Sequence, residues 1–368
     1  MRSLFTKEMK DFACKYLVGK TIGNWHVNSA IQSTDATAKY SLFYKVSNAE
    51  GNAIMKVLNY EMCHNGPLDG AKDQDSLISR ESGAFHLESE LARACTGSHM
   101  GNVIRYLDSG SIKLDGFVVQ TVSYIVYEMS EGNIGDFLTF SSKTDFTVDL
   151  GRLIDKLRSL HQVTKGVKQL HTHLIAHRNI TPQSVEVFDK HSLTKVGGLQ
   201  KSRTLQSINS LSFTPTLFDG DYTYAPPEAI FNYKISEEMS TYYQIDTYML
   251  GNLIVYYLSS MNMTTLINRK CPSSLIVWAS KGAEYKQVLP DIMKAFYEAL
   301  DEIGASICVD ELREPIIEII EGLCNPDPEK RGYPGGFNKV QANADLQRVL
   351  TKLDVLYCKA QLLRFKNT

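Results

Sequence analysis

The chain lacks most of the features that would assign it quickly. It has no excess of either charge: 39 Lys and Arg against 41 Asp and Glu leave a formal net charge of −2, so no basic patch invites nucleic acid. Its 7 cysteines are odd in number and scattered. That spacing fits neither a disulfide framework nor the paired Cys/His sets of a zinc site, and reduced thiols in a cytoplasmic protein are expected. No run is long enough to span a bilayer; the longest, from Tyr248 to Leu258, is broken by Gly251 and Asn252 and reads as a core helix. The opening Met1-Arg2-Ser3-Leu4-Phe5-Thr6-Lys7-Glu8 leads into polar sequence, so no secretory leader is expected. Repeats and low-complexity tracts are also missing.

What is present is a change of period along the chain. Trp25 to Ile31, Ser41 to Val46 and Ala53 to Leu58 alternate as strands of a small antiparallel sheet. Residues 59 to 80 carry Gly66-Pro67 and Asp69-Gly70 and read as a loop, followed by a helix over about 81 to 94. Two further strands, Val103 to Ser109 and Phe117 to Glu128, flank an Asp115-Gly116 turn. Beyond Gly132 the period becomes helical: Leu153, Leu157, Leu160, Val163, Val167 and Leu170 make one apolar face. Strands first and helices after predict an α+β chain.

A series of short motifs sits on this frame. His177-Arg178-Asn179-Ile180-Thr181-Pro182-Gln183-Ser184 has the outline of a phosphoryl-transfer catalytic loop, H-R-D-L-x-x-x-N. Ala53-Ile54-Met55-Lys56, Tyr224-Ala225-Pro226-Pro227-Glu228, Asp246-Thr247-Tyr248-Met249-Leu250-Gly251 and Asn325-Pro326-Asp327-Pro328-Glu329-Lys330-Arg331 occur with it in the expected order. Over roughly residues 22 to 350 the chain resembles the eukaryotic-type protein kinase superfamily, and among its members the pseudokinases.

The resemblance implies a bilobal kinase-like fold with a small antiparallel-sheet lobe and a large, mainly helical lobe. Its divisions are an N-terminal extension over 1–20, a sheet lobe over 21–129, a helical lobe over 130–340, and a C-terminal helical segment over 341–368 packing on that lobe. It implies nucleotide contacts for Lys56, Glu90, Glu128 and Met129. Glu88 competes with Glu90 as the partner of Lys56, and the nine-residue step from Glu90 to His99 favours Glu90. Structural roles follow for Arg178, Glu228, Asp246 and Arg331, with Glu228 paired to Arg331. Tyr127 corresponds to the residue beside an adenine pocket.

The positions that carry the chemistry depart from the pattern. Asn179 stands where a general base belongs, and an amide has no lone pair that titrates near neutral pH. Ser184 and Gly198 stand where metal ligands belong, Gly198-Leu199-Gln200 taking the place of D-F-G, and Thr181 replaces a phosphate-contacting lysine. No glycine occurs between Gly23 and Gly51, so the segment from Gln32 to Ser41 offers no Cβ-free backbone for phosphate. Glu186 and Asp189 are the nearest acidic side chains. Arg178 remains as a receiver for phosphate on Ser207, Ser210, Ser212, Thr214, Thr216 or Thr223.

The expectation is an inactive pseudokinase that acts as a scaffold or allosteric regulator on a protein partner. Its catalytic residues are none, its metal ligands none, its resident cofactors none, and any ATP is bound weakly and without metal. Neither nucleic acid nor membrane is an expected partner. The alternative is an atypical kinase, or another nucleotidyl or phosphoryl transferase, with a rearranged site. Leu346, Val349, Leu350, Leu353, Leu356 and Tyr357 recur at helical spacing, and Leu362, Leu363 and Phe365 extend the apolar character toward the end. This helix is the first candidate for a docking surface.

Overall fold

The structure is a computed structural model that describes residues 16–32, 39–115, 120–141, 150–204, 218–233, 239–307, 309–333 and 345–366, with side chains 139–141 left aside. Most of the glycine-free phosphate segment, all but one of the candidate phosphosites and most of the N-terminal extension lie outside the described residues. The chain divides into two compact units, Met1–Glu131 and Gly132–Thr368.

The first unit is built on one antiparallel sheet. Its strands are β1 (Thr21–Ile22), β2 (Trp25–Ile31), β3 (Ser41–Asn48), β4 (Gly51–Leu58), β5 (Tyr106–Lys113) and β6 (Thr121–Glu128), in the order β1-β2-β3-β4-β6-β5. Alternation sets the buried face: Trp25, Val27, Leu42, Tyr44, Val46, Ala53, Met55, Val57, Val122, Tyr124 and Val126 form one apolar cluster with Leu17 and Ile22.

This sheet corrects the expected bilobal kinase-like arrangement with its small sheet lobe. It has six strands and curls into a nearly closed barrel-like form. The physical causes are local. Register shifts between Val27 and Ser29 and between Tyr106 and Asp108 sharpen the bend of β2 and β5. Across the curl, Trp25 Nε1 on β2 donates to Asp108 Oδ2 on β5 at 3.0 Å. Strand β1 adds a sixth member through a hairpin at Gly23, whose φ of +59° suits glycine and where a Cβ would run into the Tyr124 hydroxyl.

Among the described residues two helices accompany the sheet. The segment read as a loop over 59–80 contains α1 (Tyr60–Asn65), started by the Asn59 side chain, which accepts from Met62 N at 3.1 Å. The next helix, α2 (Gln74–Gly97), begins earlier than its apolar pattern suggests because Asp73 caps it, accepting from Ser76 N at 2.8 Å.

The second unit is mainly helical. Its elements begin with β7 (Gly132–Asn133), α3 (Ile134–Ser141) and α4 (Leu150–Thr172), and continue with β8 (Ile175–Ala176), β9 (Val185–Phe188), β10 (Leu193–Val196) and β11 (Arg203–Thr204). The chain goes on through α5 (Pro227–Ile230), α6 (Met239–Ser259), α7 (Met263–Lys270), α8 (Leu275–Ser280), α9 (Tyr285–Ser306), α10 (Asp310–Cys324) and α11 (Gln347–Lys366).

Helix α6 is buried on nearly every side, which explains the apolar run from Tyr248 to Leu258. The leucine and valine face of α4 is buried, and α11 packs against α4 and α10. No helix of the described residues is long and apolar enough to cross a membrane.

Candidate functional site

In the second unit the candidate site is organised by Asp246. Helix α6 carries this carboxylate into the interior, where it is fully buried. A buried carboxylate needs donors on its oxygens. Oδ2 accepts from the backbone N–H of His177 at 2.7 Å and from His171 Nε2 at 2.8 Å. Oδ1 accepts from the backbone N–H of Arg178 at 2.6 Å. Arg178 adopts φ +64°, a left-handed conformation that costs a non-glycine residue about 1 kcal/mol or more. The two short amide bonds to a charged acceptor offset that cost.

His177 is fully buried, its Nε2–H donating to the Gly197 carbonyl at 2.7 Å while Nδ1 accepts from Asn179 N at 3.2 Å. One nitrogen donates and the other accepts, so the ring is neutral with its proton on Nε2. Burial pushes its pKa below the ordinary value, partly opposed by the charge of Asp246. The Arg178 guanidinium is almost wholly buried and lies 5.0 Å from the Tyr242 ring centroid.

Asn179, Ser184 and Gly198, the positions that depart from the motif pattern, each have a structural occupation. The Asn179 amide oxygen accepts from the backbone N–H of Asp221 at 2.8 Å, joining the 177–184 segment to the stretch before Tyr224. Ser184 Oγ donates to the Thr181 carbonyl at 2.9 Å and accepts from Thr181 N at 3.0 Å, closing one turn of 3-10 helix. Gly198 has φ +68° and ψ +41°, and a Cβ there would lie 3.2 Å from Ser184 Cβ. An aspartate at 198 therefore meets both strain and crowding. Asp189 is exposed in the turn between β9 and β10, and Glu186 is half-buried opposite Lys195.

Glu228 and Arg331 form a buried fork in the same unit. Arg331 Nη2 donates to Glu228 Oε2 at 2.7 Å and Nη1 to Oε1 at 2.5 Å. Arg331 Nε donates to the Asn325 carbonyl at 2.9 Å, and the guanidinium stacks 4.9 Å from the Tyr248 ring centroid. Burial by itself would depress the Arg331 pKa, but the adjacent Glu228 charge outweighs it and the net shift is upward.

In the first unit Lys56 is the candidate nucleotide contact that lies in a buried ion pair. Its ammonium meets Glu88 Oε2 at 2.6 Å, and both side chains are almost completely buried. This corrects the expected partner: Glu90 is exposed and pairs with His86 at 3.3 Å. Residues two apart on a helix point about 200° apart, so only one of the two glutamates can face β4. The other oxygen of Glu88 accepts from the Tyr127 hydroxyl at 3.1 Å. Burial and the Glu88 charge raise the Tyr127 pKa well above its ordinary value, so the hydroxyl stays a donor.

Glu128 Oε1 accepts from Arg105 N at 2.7 Å, and its own backbone N–H donates to the Arg105 carbonyl at 3.0 Å. Met129 is half-buried. His171 and Asp221 are the site residues that motif reasoning missed, and of the two glutamates it weighed it favoured the exposed one. His171 carried a signal, since it follows Leu170 on the same periodic helix and ends it with a polar ring facing inward.

Compared with protein-family models and with characterised proteins, the chain matches none.

Proposed function

We propose that this chain is a non-catalytic regulator or scaffold, with motif segments related to those of protein kinases and no phosphoryl transfer of its own. The observation that carries the reading is the use made of Asn179. Its amide oxygen serves a backbone N–H of the following segment, a static bond in the place where a base would take a proton from a substrate hydroxyl. Ser184 and Gly198 support it, since one closes a turn and the other holds a left-handed bend. Asp246, Glu228 and Arg331 meanwhile keep their full sets of buried bonds. The functional surface is then one that binds protein. ATP, where it binds, binds weakly and without metal, because Ser184 and Gly198 put neither a carboxylate nor an amide at the expected metal positions.

The test is phosphoryl transfer from labelled ATP to generic protein substrates and to the chain itself, compared with a Lys56→Ala variant. We expect equal, background-level incorporation in both, and calorimetric titration with ATP giving the same affinity with and without Mg²⁺. Incorporation that Lys56→Ala abolishes, or micromolar binding that requires Mg²⁺, overturns the proposal and favours a transferase with a rearranged site.

A further inference from the structure

Helix α11 is apolar on two opposite faces. Val349, Leu350, Leu353, Leu356 and Ala360 form the buried face. On the other side lie Val355, Cys358, Leu362 and Phe365. Val355 is 61% exposed, Leu362 62% and Phe365 80%, and Cys358 is also exposed. At about 3.6 residues per turn these four fall in one stripe, directly away from the buried face. Their steps of three, four and three residues are those of the seam positions of a coiled coil, written a, d, a, d. An exposed large aromatic and an exposed leucine next to one another make this stripe a candidate docking surface.

The flanking charges say what covers it. Asp354 lies on one edge of the stripe, while Lys359 and Lys366 lie on the other. In a parallel pair of identical helices, the edge residue before the first seam position of one copy faces the residue five places later in its partner. Asp354 thus meets Lys359 of the second copy, and by symmetry the reverse pair forms as well. An antiparallel pair would set the two lysine-bearing edges against each other. In the single chain Asp354 lies 3.2 Å from His161 Nε2, and Lys359 donates to the Glu311 carbonyl at 2.6 Å. Both are surface contacts that exchange readily for an opposite charge.

We infer that α11 is a self-association helix that pairs in parallel with α11 of a second copy of this chain, with Val355, Cys358, Leu362 and Phe365 as the seam. The inference does not depend on whether the chain transfers phosphate, so it survives or fails independently of the function proposed above.

Sedimentation of the full chain over a range of concentrations tests it. We expect a monomer–dimer equilibrium, and at least a tenfold weakening in the variant Leu362→Glu/Phe365→Glu. Both side chains are exposed, so that variant should keep its circular dichroism and melting temperature.

The register has its own test. Asp354→Lys and Lys359→Asp should each weaken self-association. An equimolar mixture of the two should form heterodimers, because every seam edge is then complementary. With Cys14 and Cys308 replaced by serine, mild oxidation should link Cys358 to its counterpart, and Cys358→Ser should abolish the linked species. The inference is overturned by a chain that stays monomeric up to about 100 μM, a weak affinity even for a short seam. It is equally overturned by a dimer that the Leu362→Glu/Phe365→Glu variant leaves intact, or by a charge-variant mixture that shows no preference for heterodimers.

Discussion

The Glu228–Arg331 fork places two opposite charges where almost no water reaches them. Removing one partner leaves the other buried and uncompensated. Glu228→Ala should therefore cost about 3–5 kcal/mol, a large fraction of the roughly 5–15 kcal/mol that holds a typical domain. Urea denaturation followed by circular dichroism measures the loss. Arg331→Lys should also destabilise strongly, because an ammonium cannot reproduce the two parallel N–H bonds.

His177 gives a pH dependence with a definite sign. Its folded pKa lies below the ordinary value, so the unfolded chain takes up a proton more readily. The stability it contributes is complete above about pH 6.5, the unfolded value. It declines as pH falls below that point toward the lower folded pKa. A His177→Gln variant should lose stability at pH 7.5, and its deficit relative to the unsubstituted protein should narrow between pH 6.5 and 5. A deficit that stays constant over that range would show that His177 does not titrate this way.

At the scale of elements, α1 shows how a local bond sets structure that apolar patterning does not announce. Its six residues are too few to display a helical period, and Gly66-Pro67 and Asp69-Gly70 around it read as loop. Asn59 is what starts it, and the side chain is almost completely buried. Asn59→Ala should destabilise the protein by about 1 kcal/mol and Asn59→Ser by much less, since serine also caps helices well. Equal effects from the two would show that the cap is not what matters at this position.

The curl of the sheet was equally hidden from patterning. Strands β2, β3 and β4 are legible from alternation, but the register shifts at Val27/Ser29 and Tyr106/Asp108 leave no mark in composition. A two-residue strand such as β1 has no pattern to read. For the site, motif order was enough to bring Glu228 to Arg331 and to give Asp246 a structural role, but not to show that Asp246 holds the backbone of His177 and Arg178. It was not enough to choose between Glu88 and Glu90, because packing of α2 against β4 decides which one faces Lys56.

At the scale of the whole molecule, the two units draw on different parts of the sequence. The first has its own apolar interior, lined by alternating strand residues. The second rests on one helix buried nearly all round and on helices whose apolar stripes turn toward it. Asn179, Ser184 and Gly198 and the buried bonds of Asp246, Glu228 and Arg331 all fall within the second unit.

Trp25 sits almost fully buried at the seam where the curled sheet closes, bonded to Asp108. The chain has only 2 tryptophans, and the other, Trp278, lies in the second unit. Replacing Trp278 with phenylalanine leaves a single indole whose emission comes from that seam alone. Its colour is then an optical gauge of one event, the opening of the sheet, read separately from anything that happens in the helical unit.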